Sequence, residues 1–432
     1  MKPIALILAA GESSRFEPYS YLGHHKSMLT VCGTPILAHV VRQIAEAGLA
    51  DIVIVINKTN ADIKQHLGDG SAFGAKIRYA VQDEPLGQGN AIVAAKALLQ
   101  GSESGAKSAE PRDFIVFNPS HIRASEFIKP LLDAKGAGID AVLLGRKTKE
   151  PWRYGIFRLE NERAVEIIEK PAKGSEPSDI KVVGLWYLSA DFLETLEATP
   201  IEQYQFEAAL NTYMKTHNVR VILTQKETYP LKFAWDLLTM TQALLCMQKG
   251  SIARDATVHK SVVIDESDGP IVIESGARVF EHSVIRGPAY IGRNATVGNH
   301  CVVRESSIEE GTKIGAHLEL ARSLMMERSQ AHSGYIGDSV IGRDCWIGTD
   351  FHSANARFDK AHVQVTVKAE RIDSGRRKLG VIMGHGVSVG IKSGTMPGVV
   401  IGSEAAIGPG AILYENVEPK GKIVTRHDTK NE

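Results

Sequence analysis

The sequence is short of the features that would mark a secreted, membrane or nucleic-acid-binding protein. Only 4 of its 432 residues are cysteine, at Cys32, Cys246, Cys301 and Cys345, and no two form a CxxC pair. That spacing excludes a disulfide framework and a zinc site, and the expected state is reduced thiols in the cytoplasm. No charge sign is in excess, because 50 Lys and Arg balance 50 Asp and Glu. A neutral chain offers no field for nucleic acid or an anionic membrane. No apolar run approaches the roughly 18 residues that a membrane span needs. The apolar stretch Ile4–Ala10 follows a single lysine and reads better as a strand than as a signal-peptide core. The common phosphate signatures are also missing. The opening segment is neither Gly-x-x-x-x-Gly-Lys-Ser/Thr nor Gly-x-Gly-x-x-Gly, so a P-loop and a dinucleotide fingerprint are both excluded.

What the first 40 residues do hold is a short apolar strand running into a small-residue turn at Gly11, followed by Arg15 and Lys26. A turn of this kind leaves backbone N–H groups free to face an anion, and the two cations add full positive charges nearby. The motif therefore predicts a phosphate-handling site at the first strand of an α/β domain. The competing reading is a buried strand, a turn and two surface cations.

Two grammars divide the chain. Up to about residue 225, β-rich runs (Ile4–Ala10, Ile52–Ile56, Ile77–Val81, Phe114–Asn118, Ala141–Leu144) alternate with helical patterns at Pro35–Ala47, Gly89–Leu99 and Ser125–Lys135. Alternation of this kind predicts a Rossmann-like, mostly parallel sheet covered on both faces by helices, with ligands at the strands' carboxyl ends. Trp235–Lys249 reads as a connecting helix.

From Ser251 an aliphatic residue followed by glycine recurs about every six positions: Ile291, Val297, Ile314, Ile336, Ile341, Ile347, Val389, Ile401 and Ile407. This is the signature of a hexapeptide β-helix, in which no coil buries its own apolar side and stability comes from stacking. The phasing is expected to break at Glu319–Gly334 and at Asn355–Leu379. The second stretch carries Arg357, Lys360, Lys368, Arg371, Arg376, Arg377 and Lys378. Such a basic loop suits an anionic, nucleotide-bearing cofactor, or is simply a solvated charged loop. The expected domains are 1–230, a connecting helix 231–250, a β-helix 251–424 and a polar tail 425–432.

The opening motif, Gln82-Asp-Glu-Pro-Leu-Gly87, Arg153-Tyr-Gly155, Glu169-Lys-Pro171, Trp235-Asp-Leu-Leu238 and Arg371-Ile-Asp-Ser-Gly-Arg-Arg-Lys-Leu-Gly380 together carry a resemblance. The whole chain resembles the bifunctional N-acetylglucosamine-1-phosphate uridyltransferase/glucosamine-1-phosphate acetyltransferases of archaeal type. The resemblance implies a sugar-1-phosphate nucleotidyltransferase domain followed by a left-handed β-helix acyltransferase domain. It implies a nucleoside triphosphate, a sugar 1-phosphate and acetyl coenzyme A as ligands, Mg2+ as a metal, and a homotrimer. Carried over, Gly11 sits against base and phosphates, Arg15 holds the leaving pyrophosphate and Lys26 bridges the reacting phosphates. Gln82 and Gly87 read the base, Gly155 and Glu169 contact the sugar, and Lys170 its phosphate. In the second half the resemblance makes His332 the base, with Tyr335 beside it, and gives Arg304 and Asn355 to the substrate. Imidazole suits the task of deprotonating an amine near neutral pH.

The departures carry as much information. The family's metal-binding carboxylates fall on Ser120 and Pro230, Val182 stands for a sugar-binding Asn, Ser13 for a Gly and His25 for a Pro. A magnesium ion wants hard oxygen ligands, and Asp83, Glu84 and Asp236 are the available substitutes. In the second half the two phosphate lysines become Ala321 and Ala361, each with a cation one place away, Arg322 and Lys360. Three readings follow: a bifunctional sugar-nucleotide enzyme, an acetyltransferase whose first domain only binds, and a non-catalytic sugar-nucleotide-binding regulatory or scaffold subunit.

Overall fold

The computed structural model describes residues 2–20, 25–101, 111–202 and 204–425. Two compact units divide the chain. The first holds Met1–Glu12 and Ile36–Pro230, and the second holds Ser13–Pro35 and Leu231–Glu432.

The first unit is built on a nine-stranded mixed sheet. Its strands are β1 (Ile4–Leu8), β2 (Asp51–Asn57), β3 (Lys76–Gln82), β4 (Phe114–Phe117), β5 (Ala141–Lys147), β6 (Gly155–Glu160), β7 (Arg163–Glu169), β8 (Ile180–Leu188) and β9 (Val219–Leu223). Their order across the sheet is β3-β2-β1-β4-β8-β5-β9-β7-β6. The β3–β2–β1–β4 half is parallel, while β8 pairs antiparallel with β4 and β5. Strands β1 and β4 are buried along almost their whole length, as expected of near-continuous apolar runs between helical layers. Two of those helices are α1 (Ile36–Glu46) and α2 (Ser125–Ala134). The β6–β7 hairpin and the antiparallel β8 escape the sequence pattern, because their alternation is mixed with charged and glycine positions.

The second unit is a β-helix. Three all-parallel sheets of 8, 9 and 8 short strands form its sides. Side chains stack in columns from coil to coil: Ile273, Ile291, Ile308, Met325, Ile341, Met383 and Ile401 on one side. A second column runs Val279, Val297, Ile314, Ala331, Ile347, Val389 and Ile407. All are essentially inaccessible to solvent. Each aliphatic burial is worth roughly 1.5–3 kcal/mol, and only the stacked neighbour makes it possible.

The expected break at Glu319–Gly334 is not found. Strands Leu318–Ala321, Leu324–Met325, Gln330–Ala331 and Gly334–Gly337 continue the three sheets in register. The coil lacks the Ile-Gly pairs but fills the columns with Leu320, Met325 and Ala331, so the stacking survives where its usual spelling does not. The second break is real. An antiparallel hairpin, Gln364–Val367 with Glu370–Asp373, is inserted between Asn355 and Leu379, with Val365 of its first strand and the preceding Val363 buried.

Ser13–Pro35 packs within this second unit. Tyr19 is fully buried, and its hydroxyl lies 3.0 Å from both Val340 O and Met383 O on successive coils. The Pro18 carbonyl accepts from Ser403 Oγ at 3.2 Å. The Cys32 and Gly33 N–H groups donate, at 2.8 Å each, to the two carboxylate oxygens of Glu309, which also accepts from Ser307 Oγ at 2.6 Å. Glu309 is completely buried, and burial pushes its carboxyl up to about 7, opposed by these donated hydrogen bonds. The helix α3 (Asp236–Met247) also belongs to this unit.

Candidate active sites

The residues expected to handle nucleotide and sugar fall in both units. Gly11, Gln82, Gly87, Gly155, Glu169 and Lys170 belong to the first; Arg15 and Lys26 belong to the second. Within the first unit Gln82, at the end of β3, donates from Nε2 to Gly87 O at 3.0 Å and to Asn90 Oδ1 at 2.9 Å. Gly155 and Glu169 face each other across the β6–β7 pair. A side-chain carbon on Gly155 would fall 2.3 Å from Glu169 Oε1 and 3.5 Å from Val182 Cγ2, so only glycine leaves the Glu169 carboxylate its place. Burial raises the pKa of Glu169 and the Lys170 charge opposes it. Lys170 follows at φ 43, its N–H bonded to Tyr154 O. Gly11 has nothing within 4 Å of where a side chain would begin, so it leaves open space rather than relieving a strained turn. The left-handed residue of the motif is Ser13, at φ 57.

Ser120 is buried in the first unit beside His121. Burial lowers His121 to about 4, and its Nδ1 accepts from the Asn118 N–H at 3.2 Å, so it is neutral at pH 7. Of the carboxylates that could substitute, Asp83 pairs with Lys58 at 3.0 Å on the surface. Asp236 belongs to the second unit, where its Oδ2 accepts from Lys232 N at 2.7 Å and Phe233 N at 2.8 Å. Among the described residues no three His, Cys, Asp or Glu side chains come close enough to hold a metal ion.

In the second unit Arg15 is exposed and Lys26 half-buried, its ammonium 5.8 Å from the Phe16 ring centroid. Burial lowers the Lys26 pKa, the Arg15 charge lowers it further and Asp236 opposes both. Two cations held in mutual repulsion are a site that an anion would relieve. His25 fills the place expected for proline. Burial brings it down to about 3, and its neutral Nδ1 lies 2.6 Å from Ser27 Oγ.

The β-helix brings most of the acetyltransferase residues onto one side. Arg304 and Glu319 are held on adjacent strands, with Arg304 Nη2 2.7 Å and Nε 3.1 Å from Glu319 Oε1. Glu319 is in register with Tyr335. Tyr335 lies across Gly337, where any side chain would start 2.2 Å from the tyrosine oxygen. The Tyr335 hydroxyl accepts from Asn355 Nδ2 at 2.9 Å, and the same nitrogen donates to Asp338 Oδ2 at 2.6 Å. Arg322 and Asp338 sit one coil apart, both at left-handed corner positions, and form a bidentate pair at 2.7 and 2.7 Å. Arg322 is therefore committed to a carboxylate rather than standing in for a phosphate-binding lysine.

His332 stands three residues before Tyr335, in the turn between the strands Gln330–Ala331 and Gly334–Gly337. It is exposed, its ring meets Trp346 edge-on at 5.8 Å, and it lines a hollow of about 370 Å3 with Phe280, Asn299 and Lys313. It shares no hydrogen bond with Tyr335 or Asn355. Its position is fixed by Gly315 on the preceding coil, whose missing side chain would sit 2.2 Å from His332 O. A cavity of about 610 Å3 beside the inserted hairpin is lined by Arg357, Arg371, Thr366, Tyr414 and Asn416, among others.

Asp338 and Glu309 were not singled out from the sequence. Asp338 stands three residues after Tyr335, and its spacing of one coil from Arg322 was the available signal. Nothing in the sequence marks Glu309 as an anchor for residues 32–33.

A mixed nucleotidyltransferase-type sheet followed by a hexapeptide β-helix defines a two-domain sugar-nucleotide transferase architecture. Comparison with known proteins agrees. The profile of the Nucleotidyl transferase family matches residues 4–244, and that of the GlmU-like C-terminal hexapeptide matches residues 238–331. The chain is 30% identical over 425 residues to a bifunctional sugar-1-phosphate nucleotidylyltransferase/acetyltransferase of Sulfurisphaera tokodaii, covering 96% of this chain and 98% of that one. It is 30% identical over 430 residues to the bifunctional protein GlmU of Methanococcus aeolicus and likewise to that of Methanocaldococcus jannaschii, covering 98% of both chains in each case. The chain belongs to the nucleotidyl transferase family, in the branch of bifunctional GlmU-like transferases.

Proposed function

We propose that the protein is an acetyltransferase acting on an amino sugar or sugar nucleotide, with a first domain that binds nucleotide and sugar phosphate but transfers nucleotidyl groups poorly. The single observation that carries this reading is the contrast between the two halves. Tyr335, Asn355, Asp338 and Arg322 form a connected, hydrogen-bonded group. The two positions expected to supply metal carboxylates are Ser120 and Pro230. A hydroxyl and a proline do not fit a magnesium ion, which takes carboxylate and water oxygens. The stretch 1–230 keeps Arg15 and Lys26, the two cations that pack within the second unit, and they suit phosphate, since nucleotide binding rests on positioned positive charge.

In the second half, His332 takes a proton from the acceptor ammonium, and the freed nitrogen lone pair attacks the thioester carbonyl of acetyl coenzyme A. The tetrahedral adduct collapses with cleavage of the C–S bond. Coenzyme A leaves as thiolate and takes up the proton shed by the attacking nitrogen, His332 returns the first proton to solvent, and an acetamide is formed. The cavity flanked by Arg357 and Arg371 suits the phosphates of such a donor. We further propose a homotrimer acting in the cytoplasm.

Thiol release from acetyl coenzyme A with glucosamine 1-phosphate, glucosamine and nucleotide-linked amino sugars tests the reading. It should depend on His332, and His332→Ala should remove it. Pyrophosphate release from UTP and N-acetylglucosamine 1-phosphate with magnesium should stay near background. Ordinary turnover in that second assay would overturn the proposal for the first domain. Nucleotide binding by calorimetry without either product would favour the alternative, a non-catalytic regulatory or scaffold subunit.

A further inference from the structure

The hydrogen bonds around Asp338 fix the direction in which Tyr335 offers its proton. Asp338 is nearly buried, with its side chain 6% exposed, and both of its oxygens are engaged by Arg322. Both of its oxygens therefore act as hydrogen-bond acceptors. The Asn355 side-chain atom 2.6 Å from Asp338 Oδ2 must therefore be its NH2 group. That same NH2 group lies 2.9 Å from the Tyr335 oxygen, so the tyrosine accepts there. A phenol has one proton, and this one has no partner in the Asn355 direction. Gly337 lets the ring lie flat on the coil, which holds the hydroxyl in place. The neighbour in register is Glu319, whose Oε1 is taken by Arg304.

We propose that Asp338 is a positioning residue for acyl transfer: by orienting the Asn355 amide it makes Tyr335 a hydrogen-bond donor toward the carbonyl oxygen of the bound acetyl group. The inference rests on the acetyltransferase reading above and names a role within it. A donor aimed at that oxygen stabilises the negative charge that develops when the amine attacks, and such a donor acts most strongly where its direction is set in advance. The tyrosine keeps its proton throughout, and the proton transfers run between the acceptor nitrogen, His332 and the thiolate. Asp338→Asn removes the constraint. The new amide can offer its oxygen or its nitrogen to Asn355, Asn355 is free to flip, and Tyr335 can then spend its proton on Asn355 Oδ1.

Two measurements on the full chain test this. In the first, thiol release is followed for the wild type, Tyr335→Phe, Asp338→Asn and Asp338→Glu. The expected result is a fall in kcat of about 10- to 100-fold in both Tyr335→Phe and Asp338→Asn, with KM for acetyl coenzyme A changed less than threefold. Asp338→Glu, which keeps a carboxylate, should recover part of the loss. The double variant should be no worse than Tyr335→Phe alone. Full kcat in Asp338→Asn would overturn the proposal, and so would a loss that adds to that of Tyr335→Phe.

The second measurement does not need turnover. The tyrosine Raman doublet reports whether a phenol donates or accepts, and subtracting the Tyr335→Phe spectrum isolates Tyr335. It should report an accepting phenol in the wild type and a donating one in Asp338→Asn. An unchanged signature overturns the inference even if no acceptor is ever acetylated, whereas absence of thiol release with every acceptor would overturn the acetyltransferase reading itself.

Discussion

Glu309 offers a quantitative test of how residues 13–35 are held. Its carboxyl is fully buried and receives the Cys32 and Gly33 N–H groups and the Ser307 hydroxyl. Burial lifts it from 4.5 to about 7, with the nearby Glu327 charge adding to the rise. The folded pKa is raised, so both states are protonated below about 4.5. As pH climbs from there to 7, the unfolded segment ionises while the folded one keeps its proton. Stability from this group is thus present at low pH and lost through that window. A shift of this size corresponds to on the order of 3 kcal/mol. Glu309→Gln cannot titrate, so the wild type should hold the segment better than Gln at pH 4.5 and lose that advantage by pH 8, by roughly 2–3 kcal/mol. Glu309→Ala leaves the Gly33 N–H without its carboxylate acceptor and the Cys32 N–H with only the longer bond to Ser307 Oγ at 3.3 Å, and should cost roughly 1–3 kcal/mol at any pH. Hydrogen exchange read by mass spectrometry on peptides spanning residues 28–36, corrected for the intrinsic rate at each pH, gives the free energy of local opening directly. A wild-type-to-Gln difference that stays constant between pH 4.5 and 8 would refute the titration argument. Unchanged protection in Glu309→Ala would refute the clamp.

Three further outcomes are expected. Gly337→Ala should displace the Tyr335 ring, since the added carbon would lie 2.2 Å from its oxygen; acyl transfer should fall at least tenfold while nucleotide binding, read by calorimetry, stays as in the wild type. Tyr19→Phe removes a hydroxyl that reaches two buried carbonyls, Val340 O and Met383 O, and should speed exchange of peptides covering residues 14–20 by an amount equivalent to about 1–3 kcal/mol. Ser13→Gly relieves a left-handed φ of 57 on a residue with a side chain, and should raise the stability of the turn by up to about 1 kcal/mol in urea titration monitored near that segment.

The β-helix was legible because its period is short and its chemistry repetitive: one aliphatic residue per side, phased by glycines where coils touch. It was least legible at Glu319–Gly334, where Leu320, Met325 and Ala331 do the same packing without the Ile-Gly spelling. The parallel half of the first sheet announced itself through apolar strands such as β4. The β6–β7 hairpin, with Arg158, Glu160, Arg163 and Glu166 along it, did not, because a partly solvated antiparallel pair carries charge on its strands. Among candidate site residues, Tyr335 and Asn355 were read from motifs that lie 20 residues apart, and the coil joins them by a hydrogen bond. The role of Asp338 follows only from stacking, which sets Arg322 beside it across a coil. Membership of Arg15 and Lys26 in the second unit follows from contacts hundreds of residues away in sequence, which no local pattern encodes.

That last feature has a bearing on how the protein is made. Pro18 meets Ser403 across a separation of 385 residues, and Tyr19 meets Val340 and Met383 across 321 and 364. At roughly 5–20 residues per second, a ribosome needs about 20–80 seconds to supply those partners after the segment has been synthesised. For that interval the Phe16 and Tyr19 rings, fully buried in the finished protein, have no coil to enter. The segment that holds Arg15 and Lys26 thus waits several hundred residues of synthesis before it can reach its final surroundings. The nascent chain carries two unburied aromatic rings near its N-terminus until the β-helix is nearly complete.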